Sequence, residues 1–442
     1  MGLFFADPLF ERFAMRALSH ALYGGADFGE CFVAASQINP GDADSWFRAW
    51  TATADRLVQI AESSAADGHA VSAREAWLRA SNYYRTSWLP LFGAPVDPRL
   101  VEAFDREAEA FARAAALMTP AVEAVEIPYE GTSLPGYFHR ADDSCQPRPL
   151  LIATNGYDAT VHEAHFAHAV AAVRRGYHCL SFDGPGQGRP LIHQGLVFRP
   201  DWEAVVRPVV DYALSRPDVD PQRIALIGWS FGGYLAPRAA SGEHRLAACI
   251  ADPGQWDLLE ALRLLLPLPP AVRERLPEIA PADLEAVEAQ MRSSPSLHWT
   301  VRRALWVHGL DSFADYIRIA GKYSLRGRAE RIRCPTLVAW ADGDPIARFA
   351  EQLHDALQCP RTLVRFTAAE GAGGHCEETA RSLFHQRAYD WLEAVFASPV
   401  YLSPWVNDFR GPGCPIKPIH LSGGGQSCPM RSQTSSARRS TP

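Results

Sequence analysis

The sequence predicts an α/β fold built on a mostly parallel sheet of eight strands, and three observations predict it. Short apolar runs alternate with helix-like stretches: Leu150 to Thr154, His178 to Phe182, Arg223 to Ile227, Ala247 to Ala251, Thr336 to Trp340 and Thr362 to Phe366. Strands this uniformly apolar are buried on both faces, as crossover helices require. Ahead of them Val122, Val125, Ile127 and Tyr129 lead into Glu130-Gly131-Thr132 and then Leu134, Tyr137 and His139, which reads as an antiparallel hairpin. Before the hairpin, residues 1–118 keep a helical period throughout.

The helical region is expected to be a domain of its own. Asp42-Ala43-Asp44 precedes Trp46, Trp50, Ala54, Leu57 and Ile60 at helical spacing. Ser72-Ala73-Arg74-Glu75 is a capping-box pattern, and Asp97-Pro98 pairs an N-cap with proline at the first helical position. Behind it Val101, Phe104, Ala108, Phe111 and Ala115 make one apolar stripe. Trp77, Tyr83, Tyr84 and Trp88 are expected to fill an interhelical core, the alternative being that some of them wall a substrate pocket.

The sheet-bearing domain is expected over 119–398. It is interrupted at 255–330, where the apolar Leu262 to Leu268, a proline cluster and Pro281-Ala282-Asp283-Leu284-Glu285 predict a helical cap over the site. After 398 the composition turns to Gly, Pro, Ser and Arg, so 399–442 reads as a disordered tail.

Composition narrows the function classes. The chain has 442 residues, 47% hydrophobic and 21% charged, with a formal net charge of -7 and no long basic block, which argues against a nucleic-acid partner. Nine scattered cysteines without a C-x-x-C pair suit thiols in a reducing compartment. The N-terminus lacks a basic n-region, Ala6 breaks the myristoylation pattern, and no apolar run reaches spanning length. The expectation is a cytoplasmic protein with no membrane partner.

The chemistry centres on Gly228-Trp229-Ser230-Phe231-Gly232, set between a strand and a helix. In that context G-x-S-x-G is a nucleophile elbow, whose tight turn needs glycines flanking a strained serine. A serine hydroxyl needs a base, an orienter for that base and a hole for the oxyanion. In an α/β-hydrolase fold these follow in the order Ser, acid, His. The acid falls after Thr336 to Trp340, where Asp344 precedes Pro345-Ile346 and Asp342 is the alternative; the other one is read as a turn aspartate. The histidine is His375, on Gly371-Ala372-Gly373-Gly374 after the last strand, whereas His354 and His385 fall on helix-like segments. The oxyanion donors are the Phe231 N–H and, on the loop Asn155-Gly156-Tyr157-Asp158, the Tyr157 N–H, with Gly156 permitting close approach to the substrate.

No metal or cofactor is expected. His162, His165 and His168 recur beside Glu163, but the order is not H-E-x-x-H and steps of three drift around a helix. Asp183-Gly184-Pro185-Gly186-Gln187-Gly188 fits neither dinucleotide nor P-loop spacing and reads as a tight turn after a strand.

Taken in order, the Asn155, Asp183, Gly228 and Gly371 segments, with Ser72 to Glu75 and Tyr83-Tyr84-Arg85 upstream, resemble the α/β-hydrolases that carry an N-terminal helical domain. That group includes the dihydroxypseudooxynicotine hydrolase of nicotine breakdown and fungal hydrolases that shorten pigment polyketides. The resemblance covers about residues 10 to 398. It implies Ser230 as nucleophile, Asp344 as orienter and His375 as base. It also implies hydrolysis of a C–C bond beside a carbonyl in an aromatic or polyketide-like small molecule, and a homodimer. An acid outside the triad is implied too, with Asp257 and Glu260 as candidates. Elbow and triad serve a carboxylesterase, an acyl transferase or a peptidase-like hydrolase equally well, and a non-catalytic binding protein is the rival of another class.

Overall fold

A computed structural model describes residues 2–398; the expected tail at 399–442 lies outside the described residues. Its centre is one eight-stranded sheet in the order β1-β2-β4-β3-β5-β6-β7-β8. The strands are β1 Glu123–Tyr129, β2 Thr132–His139, β3 Arg148–Thr154, β4 His178–Phe182, β5 Val219–Trp229, β6 Ala248–Asp252, β7 Thr336–Ala341 and β8 Arg361–Phe366. β1 and β2 form the expected hairpin, closed at Tyr129↔Thr132 by Glu130 and Gly131, both at positive φ as a two-residue turn demands. β2 meets β4 antiparallel and every later pairing is parallel. This is the α/β-hydrolase sheet.

Several strand boundaries differ from expectation: β3 begins at Arg148, β7 ends at Ala341 and β8 begins at Arg361. β5 begins at Val219, because a register shift between Arg148 and Leu150 lets the stretch containing Pro221 join the ladder. β6 runs one residue later, since Asp252 pairs with Trp229 at the foot of the elbow.

Five helices precede the sheet: α1 Pro8–Ser19, α2 Phe28–Ser36, α3 Ala43–Ala66, α4 Ala70–Trp88 and α5 Pro98–Ala116. Asp97 caps α5 as expected, and Asp42 and Asp7 cap α3 and α1. The Ser72 capping box does not form. Gly68, at φ 78°, turns the chain early enough for α4 to begin at Ala70, so Ser72 already lies inside the first turn. Ile60 drifts out of the α3 stripe to 45% exposure and Ala61 takes the buried place. In α5 the buried face is shifted the same way: Leu100, Ala103 and Ala110 join Phe104, Phe111 and Ala115, while Val101 and Ala108 are half-buried. Trp77, Tyr83, Tyr84 and Trp88 are all buried in the helical core.

Between β6 and β7 lie five more helices, Leu258–Leu265, Pro270–Arg275, Pro281–Ser293, Pro295–His308 and Phe313–Ala320. They share an apolar cluster that includes Leu262, Leu266, Val287, Met291 and Phe313. This segment docks on the N-terminal helices: Trp299 Nε1 donates to the Leu89 carbonyl at 2.7 Å, and the Trp306 and Phe92 rings lie 4.7 Å apart. Among the described residues, no helix is long and apolar enough to cross a membrane.

Candidate active site

Ser230 stands between β5 and the helix Gly232–Ala240 with φ 58°, a left-handed conformation unusual for a residue with a side chain. What holds it there is visible around it. A Cβ on Gly228 would stand 1.8 Å from the Gly232 carbonyl oxygen, so only glycine allows the turn to close. The Ser230 N–H donates to the Asp252 carbonyl at 2.8 Å, and Gln255 Nε2 donates to the Ser230 carbonyl at 2.5 Å.

His375 brings the three predicted groups into one line. Its Nδ1 lies 2.7 Å from Asp344 Oδ2 and its Nε2 lies 2.9 Å from Ser230 Oγ. Burial raises the Asp344 pKa, but the His375 charge and hydrogen bond, with the Ile346 and Ala347 N–H groups, outweigh it and hold the carboxyl below its ordinary range. An ionised Asp344 only accepts, so Nδ1 carries the proton, and the bare Nε2 accepts from the serine hydroxyl. Asp342 is exposed and takes the Ala368 N–H at 3.1 Å instead, which makes it the turn aspartate.

The loop carrying His375 is anchored from beneath. Arg381 Nη1 donates to Asp252 Oδ2 at 2.7 Å and to the Cys376 carbonyl at 2.8 Å, tying the histidine loop to the strand that receives the Ser230 N–H. Cys376 and Glu377 both take positive φ, and burial together with Asp252 drives the Glu377 carboxyl well above its ordinary range, keeping it neutral.

The Asn155–Asp158 loop presses directly on the elbow. A Cβ at Gly156 would stand 2.7 Å from Ser230 Cβ and 2.8 Å from the Phe231 nitrogen, so this glycine permits contact with the elbow itself. The Asp183–Gly188 turn braces the loop from below: Gln187 Nε2 donates to the Asn155 carbonyl at 2.6 Å and Asn155 Nδ2 to Asp183 Oδ1 at 3.1 Å. On the other side the Tyr157 hydroxyl reaches His308 and Tyr316 of the inserted helices.

A cavity of about 330 Å³ opens over Ser230 and His375, within the size of small-molecule sites. Its walls come from α1, through Arg12, Phe13 and Arg16, and from the inserted helices, through Leu262, Trp299 and Tyr316 among others. None of the four aromatics Trp77, Tyr83, Tyr84 and Trp88 reaches it. Asp257 caps the helix Leu258–Leu265 and Glu260 pairs with Arg326, so neither wall acid suggested by the resemblance lines the cavity; Glu378 does. Sequence reasoning missed Arg12, Arg16 and Glu378, which carry no motif. The three histidines near Glu163 diverge: His162 meets Glu107, His165 meets His139, and His168 packs edge-on against Trp229.

With elbow, acid and histidine in this arrangement on this sheet, the class is defined, and the α/β-hydrolase family model matches residues 150–395. The chain belongs to the α/β-hydrolase family. The hydrolase acrC of Aspergillus aculeatus is 34% identical over 428 residues, covering 90% of this chain and 98% of its own. The 20-hydroxy-prefusarin hydrolase FUS2 of Gibberella moniliformis is 34% identical over 422 residues, covering 89% and 98%. Among solved structures, the 2,6-dihydroxy-pseudo-oxynicotine hydrolase superposes with a TM-score of 0.69 at 23% identity, covering 86% of this chain and 96% of that one.

Proposed function

We propose that this enzyme is a serine hydrolase that cleaves a C–C bond beside a carbonyl in a ketone or polyketide-like substrate. The observation that carries the reading is the continuous line Ser230–His375–Asp344, at 2.9 and 2.7 Å, facing a mostly apolar cavity with charged residues on one wall. His375 Nε2 takes the Ser230 proton as Oγ attacks the carbonyl carbon. The Phe231 and Tyr157 N–H groups receive the developing oxyanion. Collapse breaks the C–C bond, its electron pair leaving on a carbon stabilised as an enolate, which takes the proton from His375. Water then gives a proton to His375 and attacks the acyl-enzyme, releasing a carboxylic acid and restoring Ser230.

The C–C preference draws on likeness: relatives include the 20-hydroxy-prefusarin hydrolase and the pseudo-oxynicotine hydrolase. The test has two parts. A fluorophosphonate should modify Ser230 of the folded enzyme, and the absence of an adduct overturns the serine mechanism. Turnover of aromatic 1,3-diketones beside aryl esters then reads the bond: fast ester cleavage with no diketone cleavage makes the enzyme a carboxylesterase.

A further inference from the structure

One wall of the cavity carries more positive charge than its neighbours neutralise. Arg16 and Arg303 both reach Asp158, Arg16 Nη1 at 2.7 Å, and beneath them Arg85 and Arg16 share the fully buried Glu163 at 3.0 and 2.6 Å. Burial lowers the His20 pKa, so that ring adds no charge. Three guanidiniums thus stand against two carboxylates. Arg12 adds a fourth and is differently placed. Among the described residues it makes no ion pair or hydrogen bond; its guanidinium lies 5.6 Å from the centre of the Trp299 ring, over which Arg303 also lies at 4.4 Å. It is accessible, and it lines the cavity. A cation set against aromatic rings and Arg303, with Glu378 and Asp158 near enough to attract it but bonded to neither, is only partly compensated where it stands.

We propose that Arg12 is a substrate-reading residue of this pocket, and that the substrate is an apolar, aromatic-sized ketone carrying a carboxylate that docks on Arg12 beside Trp299. The planar guanidinium fork suits a carboxylate bidentately, and Trp299 offers a face for the adjoining apolar part. The other two arginines of the lining, Arg16 and Arg303, are already paired with Asp158, and Leu262, Leu266 and Met291 are apolar. Glu378 faces the same space and opposes a bound anion; burial raises its pKa against the pull of His375, Arg12 and Arg16, which weakens that opposition. This inference names the substrate class for the hydrolysis proposed above and rests on that reading, yet binding can be read without turnover.

The test is calorimetric titration of the full chain at pH 7.5 with 4-phenylbutyrate and with its neutral isostere 5-phenylpentan-2-one. The wild-type enzyme should bind the carboxylate at least about tenfold more tightly, the scale of one charge-assisted contact. Arg12→Gln should reduce that ratio to about one. Arg12→Lys should keep part of it, and Glu378→Gln should enlarge it. Equal binding of both probes by the wild type, or a preference that survives Arg12→Gln, overturns the proposal. Should Arg12→Gln fail to fold, Arg12→Lys decides: an undiminished preference overturns it. Ser230 labelling that fails while the carboxylate preference holds would sink the serine mechanism and leave this site standing; the reverse result would do the opposite.

Discussion

The Tyr157 hydroxyl lies 2.8 Å from His308 Nε2, and the direction of that bond is fixed at the far end of a chain of side chains. Tyr323 donates its hydroxyl to the Phe198 carbonyl at 3.1 Å, so its oxygen must accept from His308 Nδ1 at 3.0 Å. Burial holds the His308 pKa down at about 3, so the ring is neutral and Nε2 is bare. Tyr157 therefore donates to His308, and its oxygen is left to accept from Tyr316 at 3.3 Å. The inserted helices thereby grip the loop that bears the proposed oxyanion donor. Tyr323→Phe removes the fixed end of the chain and should cost about 1 kcal/mol of stability. It should also lower kcat by about tenfold, a fraction of what loss of an oxyanion donor costs. Denaturant titration and steady-state kinetics on the variant check both, and an unchanged kcat would confine the chain to a structural role.

Asp344 and Asp342 should separate cleanly. Asp344→Asn leaves His375 free to take the wrong tautomer and should lower kcat by about 10⁴-fold. Asp342→Asn touches only the Ala368 N–H and should stay within about threefold of wild type. Equal losses would reject the assignment.

Gly156→Ala forces a methyl group against Ser230 Cβ and the Phe231 nitrogen, both closer than 3 Å. The loop must withdraw from the elbow. The expected result is a fall in kcat of about 10²-fold, since displacement of the order of 1 Å is that costly, with slower fluorophosphonate labelling of Ser230. Labelling at the wild-type rate would show that the elbow tolerates the retreat.

The pH–rate profile should show an acid limb set by His375. Burial lowers its pKa, yet Asp344 and then Glu378 outweigh burial and Arg12 and raise it above the ordinary value. Only the neutral ring can accept the serine proton, so kcat/KM rises with pH through that raised pKa. Glu378→Gln removes one raising charge and should move the limb to lower pH. A shift to higher pH would contradict this electrostatic picture.

Stability should fall as the medium is acidified from about pH 6.5 to 5. His139, with a pKa of about 4, His308, at about 3, and His165, His168 and His385, well below the ordinary value, are buried neutral. Each lowered histidine stabilises the fold fully above its unfolded pKa and loses that contribution as pH falls toward the folded one. Burial acts oppositely on carboxyls: Asp183, at about 7, Glu377 and Glu378 are raised and favour the fold on acidification. His20, His178 and His298 are lowered as well, so eight lowered histidines stand against three raised carboxyls and the raised His375, and the histidines decide the sign. A thermal midpoint that stays level or rises between pH 6.5 and 5 would refute this balance.

The strands and the reactive line were legible because their constraints are local. Leu150 to Thr154 and Arg223 to Ile227 are continuous apolar runs, and a glycine two residues either side of Ser230 answers a backbone requirement that sequence expresses directly. Asp344 could be narrowed only to one of two acids, since what separates it from Asp342 is which one faces His375 in space. The cavity walls were illegible for a related reason. Arg12 sits in α1 one turn from Arg16, on an ordinary amphipathic helix, and nothing near it in sequence says that Arg16 will pair with Asp158 while Arg12 will not. The Ser72 capping box shows the converse error, a correct local pattern displaced when a neighbouring turn began the helix early.

The Trp299–Leu89 bond joins residues 210 positions apart, and it forms part of the seam at which the inserted helices meet the helices ahead of the sheet. Trp299 is also a cavity wall beside Arg12 and Arg303. The recognition surface is therefore a joint property of two distant stretches of chain, whereas the reactive line sits on turns of the sheet. Exchanging the inserted helices with those of a relative would carry over half a binding site, and a transplant that keeps selectivity would have to bring α1 and the end of α4 with it.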